Sequence, residues 1–233
     1  MITIFTMAYN EEVLIQFMID HYRSRFPNSH IVVRDNQSQD KTAEIALANK
    51  CEVLSYDSEG QIDDFKLREL KNNCWKQANT DWVLICDVDE LLDITEEQLL
   101  QEERKGTTII KSKGYDMINM EDNFNLSDIK YGSPDSNYSK SSLFNKRYIN
   151  EINYECGAHK SNPVGNIKLS DAAYGLYHYK FINIEYLINR FKLTEQRLSA
   201  ANKQHGMGVY NSDSADKTRK IFKDRRLAAY KIL

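Results

Sequence analysis

The sequence predicts an α/β fold built on a mostly parallel sheet, and three observations carry that expectation. Over roughly the first ninety of 233 residues, short apolar strands alternate with amphipathic helices in the order β-α-β-α-β-α-β. That alternation is the pattern of a parallel sheet flanked by helices. The fourth strand holds Val83-Leu84-Ile85-Cys86, an unbroken apolar run suited to burial on both faces. It ends in three carboxylates, Asp87, Asp89 and Glu90, and open α/β sheets bind ligands at the carboxyl ends of their strands.

Each element follows from its residues. Ile2 to Met7 is a strand giving way to Ala8-Tyr9-Asn10-Glu11-Glu12, where Asn10 is placed to cap the next helix. Val13, Leu14, Phe17, Met18, His21 and Tyr22 recur at helical spacing, so residues 11–26 read as an amphipathic helix with His21 packed in the core. Pro27-Asn28-Ser29 ends it. His30 to Arg34 is the second strand, residues 35–40 are a polar loop, and Asp40 caps a helix through Asn49. Glu52 to Tyr56 is the third strand, and residues 65–77 form a helix ahead of the acidic strand. Thr95-Glu96-Glu97-Gln98 is a capping box that opens a helix to about Lys105. Residues 107–112 and 115–120 read as two strands broken at Gly114, and the polar run 121–140 as a mobile loop. Leu143-Phe144 lies in a short strand, and residues 150–165 are irregular. Residues 167–169 and 174–179 read as strands, and Ile184 to about Ala201 as a helix with Leu187, Ile188, Phe191 and Leu198 inward.

Apolar residues make up 41% of the chain, enough for a sizeable core. A net charge of -3 supplies no basic field, so nucleic acid is not an expected partner. Cys51, Cys74, Cys86 and Cys156 lack paired spacing and are expected as reduced thiols. No apolar run reaches the length of a membrane span, and Met1 leads directly into the first strand, so the expected setting is cytoplasmic. The first-turn glycine fingerprint of dinucleotide-binding folds and the GxxxxGK[ST] loop are both absent. Any nucleotide is therefore left to acids, amides and a metal. Three acids gathered at the end of a buried strand repel one another unless positive charge sits among them. A hard divalent cation, Mn²⁺ or Mg²⁺, is the expected occupant, and a solvated acidic turn is the alternative.

Three segments together, residues 4–12, residues 31–42 and Asp81-Trp82 through Asp87-Val88-Asp89-Glu90, resemble a family 2-type glycosyltransferase. The resemblance covers about residues 1–93. It continues more weakly through Gly157-Ala158-His159 and residues 176–180, which are similar to the acceptor-side half of bacterial members. It implies a GT-A fold: one domain over 1–205, with a nucleotide-sugar half (1–93), a smaller acceptor half (94–205) and a C-terminal helical tail (206–233). The implied activity is metal-dependent transfer of a sugar from a nucleotide diphosphate sugar, UDP- or dTDP-linked, to the hydroxyl of a saccharide or lipid-linked acceptor. Inversion at the anomeric carbon and a place in glycan or surface polysaccharide synthesis go with it.

The resemblance also implies residue roles. Ala8, Tyr9, Glu11 and Asp35 would contact base and ribose, Lys71 the diphosphate, and Asp87 the metal or ribose. Asp89 would hold the metal, joined by a later histidine, His178. For Glu11 the alternative is a first-turn acid favoured by the helix dipole, for Asp35 an Asx turn, and for His178 a packed histidine. Inversion by single displacement needs a general base. Relatives read His-Glu where this chain reads His159-Lys160, so Glu155 is the first candidate, followed by Asp171 and Asp116, with His159 contacting phosphate or acceptor. The tail from Asp216 mixes Lys217, Arg219, Lys220, Lys223, Arg225 and Arg226 with apolar residues. It is expected to dock through its apolar side, with weak contact to the inner face of an anionic membrane as a second expectation. Two rival classes are a haloacid dehalogenase-type phosphatase, whose DxDx[TV] motif would place Thr where Leu91 stands, and a non-catalytic nucleotide-sugar-binding module.

Overall fold

The computed structural model describes residues 1–121 and 124–233, with only the backbone for Asn211. The first half runs β1 (Ile2–Ala8), α1 (Ile15–Arg25), β2 (His30–Asp35), α2 (Thr42–Ala48), β3 (Glu52–Ser55), α3 (Asp64–Asn73) and β4 (Trp82–Asp87). Its strands are all parallel, in the order β3-β2-β1-β4. β1 lies between β2 and β4 and is buried at every position. Its side chains alternate between two cores. Ile2, Ile4 and Ala8 join Ile15, Met18 and Tyr22 of α1, whereas Phe5 and Met7 join Trp75 and Phe144 on the other face. Helices therefore close both faces while the carboxyl ends of β1, β2 and β4 open together.

The second half runs β5 (Glu90–Asp93), α4 (Glu96–Arg104), β6 (Ile109–Ile118), β7 (Tyr131–Pro134), β8 (Leu143–Asn145), β9 (Ile149–Glu151), β10 (Val164–Gly165) and β11 (Leu169–Phe181). It ends in α5 (Ile184–Arg197), α6 (Ala200–Gln204), α7 (Ala215–Ala228) and β12 (Tyr230–Lys231). β8 runs antiparallel to β4, β6 to β8, β7 to β6, and β12 to β7. β11 is parallel to β6 and antiparallel to β5, and β9 and β10 form a separate ribbon. The expected class, a GT-A-like sheet flanked by helices with a smaller extension, is the architecture found. The extension itself is mixed rather than parallel.

Several local expectations are corrected. Asn10 does not cap α1, which begins five residues later behind Leu14 with no side-chain cap; Asn10 instead adopts a left-handed backbone (φ 52°) that turns the chain away from β1. β5 was not foreseen. Residues 107–120 give one strand rather than two, because Gly114 sits inside it. A Cβ there would lie 2.4 Å from the Asp135 carbonyl, so the glycine admits residues 135–138 against the strand. Of the run 121–140, residues 122 and 123 lie outside the described residues. The rest is not a free loop: it holds β7 and short 3₁₀ turns at 126–128 and 136–138. Residues 150–165 likewise contain ordered pieces, and 169–181 form a single long strand. α5 stops at Arg197, with Leu198 buried beyond it, and Ser199 caps α6.

The tail docks through Phe222, whose ring meets Phe181 at 5.9 Å. Among the described residues no helix is long and apolar enough to cross a membrane. Cys51, Cys74 and Cys86 are buried free thiols, and Cys156 is a partly exposed one.

Candidate active site

A cavity of about 360 Å³ opens where β1, β2 and β4 end, walled on the far side by α5. Ala8, Tyr9, Glu11 and Asp87 line it, with Arg34 and Asn36 from the β2 end. From α5 come Tyr186, Asn189, Arg190, Leu193, Thr194 and Arg197. These fall at i, i+3, i+4, i+7, i+8 and i+11, a single helical face. The Arg197 guanidinium carbon sits 3.1 Å over the Tyr9 ring.

The polar residues after β1 and β2 are largely occupied with each other. The Gln39 N–H donates to Asn10 Oδ1 at 2.7 Å, Glu11 N–H to Thr42 Oγ1 at 2.7 Å, and Glu12 N–H to Asp40 Oδ2 at 3.0 Å. Asp40 also accepts from the N–H and hydroxyl of Thr42, but α2 starts behind Lys41 with no side-chain cap, so Asp40 does not hold the expected cap position. Asp35 is spent locally: its carboxylate accepts from the Ser38 N–H (3.1 Å) and hydroxyl (2.5 Å). It is not among the residues lining the cavity, and its bond to the Ser38 N–H spans three residues, one more than an Asx turn.

The clustered acids each face a side-chain cation. Lys71 Nζ lies 2.7 and 2.9 Å from the two oxygens of Asp87, so the ammonium expected at a diphosphate is bonded to the carboxylate instead. Burial would raise the Asp87 pKa, but Lys71 and Lys140 outweigh it and hold it low. Glu90 pairs with Lys140 in full burial. Arg190 Nη2 bridges Glu11 Oε1 at 2.9 Å and Asp89 Oδ2 at 3.2 Å. Burial pushes Glu11 up to about 7 against the pull of Arg190. Asp89 is driven the other way: burial opposes its charge, but Arg190 and His178 hold it well below the usual carboxylate range.

His178 reaches this cluster from β11. Its Cα stands in register with Asp116 on β6 and with Glu90 on β5. Its Nδ1 is 2.7 Å from Asp116 Oδ1, its Nε2 is 3.5 Å from Asp89 Oδ2, and the Tyr138 ring stacks on it at 3.9 Å. Burial disfavours the imidazolium, yet Asp89 and Asp116 raise its pKa to about 9.

A divalent cation can be tested against these donors. Among the described residues no group of three or more His, Cys, Asp or Glu stands ready to hold a metal ion. Two donors do converge, Asp89 Oδ2 and His178 Nε2. The second imidazole nitrogen is hydrogen-bonded to a carboxylate, the support that metal-ligating histidines usually have. With Nε2 deprotonated, Asp89 and His178 fit two ligands of such a site, the nitrogen favouring Mn²⁺ over Mg²⁺. Asp87 is committed to Lys71.

The expected bases scatter. Asp171 is exposed near the start of β11, seven residues before His178 and so roughly 20 Å away along the strand. Glu155 is exposed at the head of a short turn, beside α3 through the Tyr154 N–H bond to Asn72 at 2.7 Å. His159 donates from Nδ1 to the Asn137 carbonyl at 2.9 Å and meets Tyr138 edge-on at 5.6 Å, one ring away from His178. Burial, then Lys140, lowers its pKa. Asp116 is buried and shared between His178 and Arg225 Nη1, the latter at 3.5 Å.

Lys140, Arg190, Tyr138 and Arg197 were not foreseen. For Arg190 the one sequence signal was its place beside the inward-facing residues of α5. For Lys140 there was none.

The model of glycosyl transferase family 2 matches residues 3–157. No curated protein matches the chain. Among solved structures, the chain is similar to residues 1–349 of S. aureus TarS in complex with UDP-GlcNAc, at 17% identity over 97% of this chain and 72% of that one, with a TM-score of 0.46. The same protein in complex with UDP gives 18% identity, the same coverage and a TM-score of 0.48. Glucosyl-3-phosphoglycerate synthase from Mycobacterium tuberculosis, in complex with Mn²⁺, UDP and glucosyl-3-phosphoglycerate, gives 20% identity over 48% of this chain and 43% of that one, with a TM-score of 0.36.

Proposed function

The chain belongs to glycosyl transferase family 2, and from that premise we propose that it moves a sugar from a nucleoside diphosphate sugar, UDP- or dTDP-linked, to an acceptor hydroxyl with inversion. Family membership weighs against the phosphatase reading. The observation that carries the proposal is the cavity at the strand ends. Tyr9, Asn36, Glu11 and Asp87 line it, and Arg190 in its wall reaches back to the buried Asp89, whose Oδ2 lies 3.5 Å from His178 Nε2.

In this reading Tyr9 and the backbone after β1 seat the base and ribose. Asp89 and His178 would hold Mn²⁺ or Mg²⁺, which would supply positive charge to a departing diphosphate. Asp116 fixes the His178 ring so that Nε2 faces Asp89. Lys71 and Lys140 keep Asp87 ionised, and Lys140 pairs with Glu90. Glu155 is assigned the acceptor proton: it stands exposed on the acceptor half, whereas Asp116 is committed to His178 and Asp171 lies far along β11. The acceptor is a saccharide or a lipid-linked saccharide met by residues 124–165, at the inner face of a membrane that the basic α7 touches weakly. Flotation with anionic vesicles that leaves the protein behind would remove the membrane contact.

A thermal-shift panel of nucleotide sugars with Mn²⁺ tests the donor. A ligand at a hundred times its dissociation constant adds about 2.7 kcal/mol of stability. UDP- or dTDP-sugars should stabilise more than ADP-sugars, and an acceptor should then release free nucleoside diphosphate. Release of inorganic phosphate, or binding without any transfer, would defeat the assignment. Asp89→Asn should abolish metal-dependent release of nucleoside diphosphate, whereas Asp171→Asn should leave it intact.

A further inference from the structure

Arg190 carries more than one burden in the cavity wall. Its Nη2 contacts Glu11 and Asp89, and Nη1 donates to the Tyr186 hydroxyl at 3.2 Å. A guanidinium has five N–H groups in a fixed fork, so these contacts leave donors to spare. The side chain is 31% exposed and lines the cavity. A cation anchored by two carboxylates thus presents unused donors where the functional reading places a diphosphate.

The same guanidinium touches the oxygen that a metal would need. Asp89 Oδ2 is 3.2 Å from Arg190 Nη2 and 3.5 Å from His178 Nε2. A divalent cation drawing on Asp89 and His178 competes with Arg190 for that oxygen. A diphosphate in the cavity attracts both cations, and charge-assisted bonds from an arginine fork to phosphate are among the strong ones.

We propose that Arg190 is a catalytic residue of the donor site: its guanidinium passes from Asp89 to the donor diphosphate as metal and donor enter, and remains there while the sugar leaves. This rests on the glycosyltransferase reading above. In the transfer step the acceptor oxygen bonds to the anomeric carbon. The bond from that carbon to the diphosphate oxygen breaks, with the electron pair going to that oxygen, and the acceptor proton goes to a carboxylate. Arg190 exchanges no proton and supplies only charge and hydrogen bonds to the leaving oxygens. It follows that nucleotide and metal each make room for the other.

The test measures Mn²⁺ binding by the loss of its free electron-spin signal, with and without UDP, and UDP binding by calorimetry. Wild type is compared with Arg190→Met and Arg190→Lys, with thermal unfolding to verify that each variant folds. Wild type should bind Mn²⁺ at least about 10-fold more tightly with UDP than without. Arg190→Met should bind Mn²⁺ alone more tightly than wild type, bind UDP about 10-fold or more weakly, and lose most of the mutual enhancement. Arg190→Lys, which keeps the charge without the fork, should fall between and serves alone if the methionine variant does not fold. An Arg190 that merely braces the wall would weaken both ligands together, and that result, or no change in either, overturns the proposal while leaving UDP binding by wild type intact. Failure of wild type to bind any nucleoside diphosphate overturns the functional reading and this proposal with it.

Discussion

Replacing Lys140 by methionine isolates the question of how the site acids are tolerated. The Lys140 and Glu90 side chains are 3% and 4% exposed and form an ion pair. Methionine keeps the length and most of the apolar stem while deleting the charge, so Glu90 is left buried without its cation. Severing one partner of a buried pair costs about 3–5 kcal/mol. The loss of the Lys140 contact to the Tyr138 ring, at 5.3 Å, adds a fraction of that. At roughly 2–4 °C per kcal/mol for a chain of this size, the midpoint should fall by roughly 6–20 °C. Urea and thermal unfolding followed by circular dichroism at neutral pH give both quantities. The partner variant Lys140→Met/Glu90→Leu should recover most of the loss, because two apolar groups of similar volume need no pairing. Lys66→Met, at an exposed pair with Glu59, should leave the midpoint where it was. A loss below about 1 kcal/mol in Lys140→Met would show that water reaches Glu90 and that burial is not what Lys140 offsets.

Two further outcomes follow from the packing. Gly114→Ala would put a Cβ 2.4 Å from the Asp135 carbonyl and 2.5 Å from Tyr138. It should cost about 1–3 kcal/mol, read as a lower unfolding midpoint, and an unchanged midpoint would mean that 135–138 is not held against β6. His21 has its pKa lowered to about 4 by burial and by Arg25, and its Nε2 lies 3.0 Å from the Leu92 carbonyl. A base whose folded pKa is depressed contributes stability above its unfolded value of about 6.5 and loses it as pH falls toward 4. Wild type should therefore lose up to about 2–3 kcal/mol over that window, and His21→Gln should flatten the slope in urea titrations across it.

The first half of the fold was legible because its signals are local. Apolar runs of strand length, helical spacing and the Pro27 break lie within a few residues of the elements that they define. The extension was harder, since β5 is only Glu-Leu-Leu-Asp and β11 is interrupted in pattern by Asp171 and Gly175. Neither reads as a strand until each finds the other. Site residues divide in the same way. Asp89 and His178 could be named from motif and resemblance, and their meeting required only the fold. The counter-ions could not, because Lys140 meets Glu90 from 50 residues away and Arg190 meets Glu11 from 179, distances over which no periodicity survives. Asp35 is the instructive case. Its partner is Ser38, three residues on, a contact close enough in sequence to be read from residue types alone.

The pairing of β5 has a consequence for how the chain comes into being. Among the described residues the only strand that β5 pairs with is β11, and Glu90 finds its register partner in His178. On a ribosome the segment 90–93 emerges 88 residues before that partner, roughly 4–18 s at ordinary elongation rates. Through that interval Leu91 and Leu92, both about 1% exposed in the finished molecule, have no strand to lie against. The acidic end of the cleft is thus completed from the far end of the chain. Nascent chains stalled before residue 169 should bind chaperones through this segment and should not hold a nucleotide, however complete their first four strands.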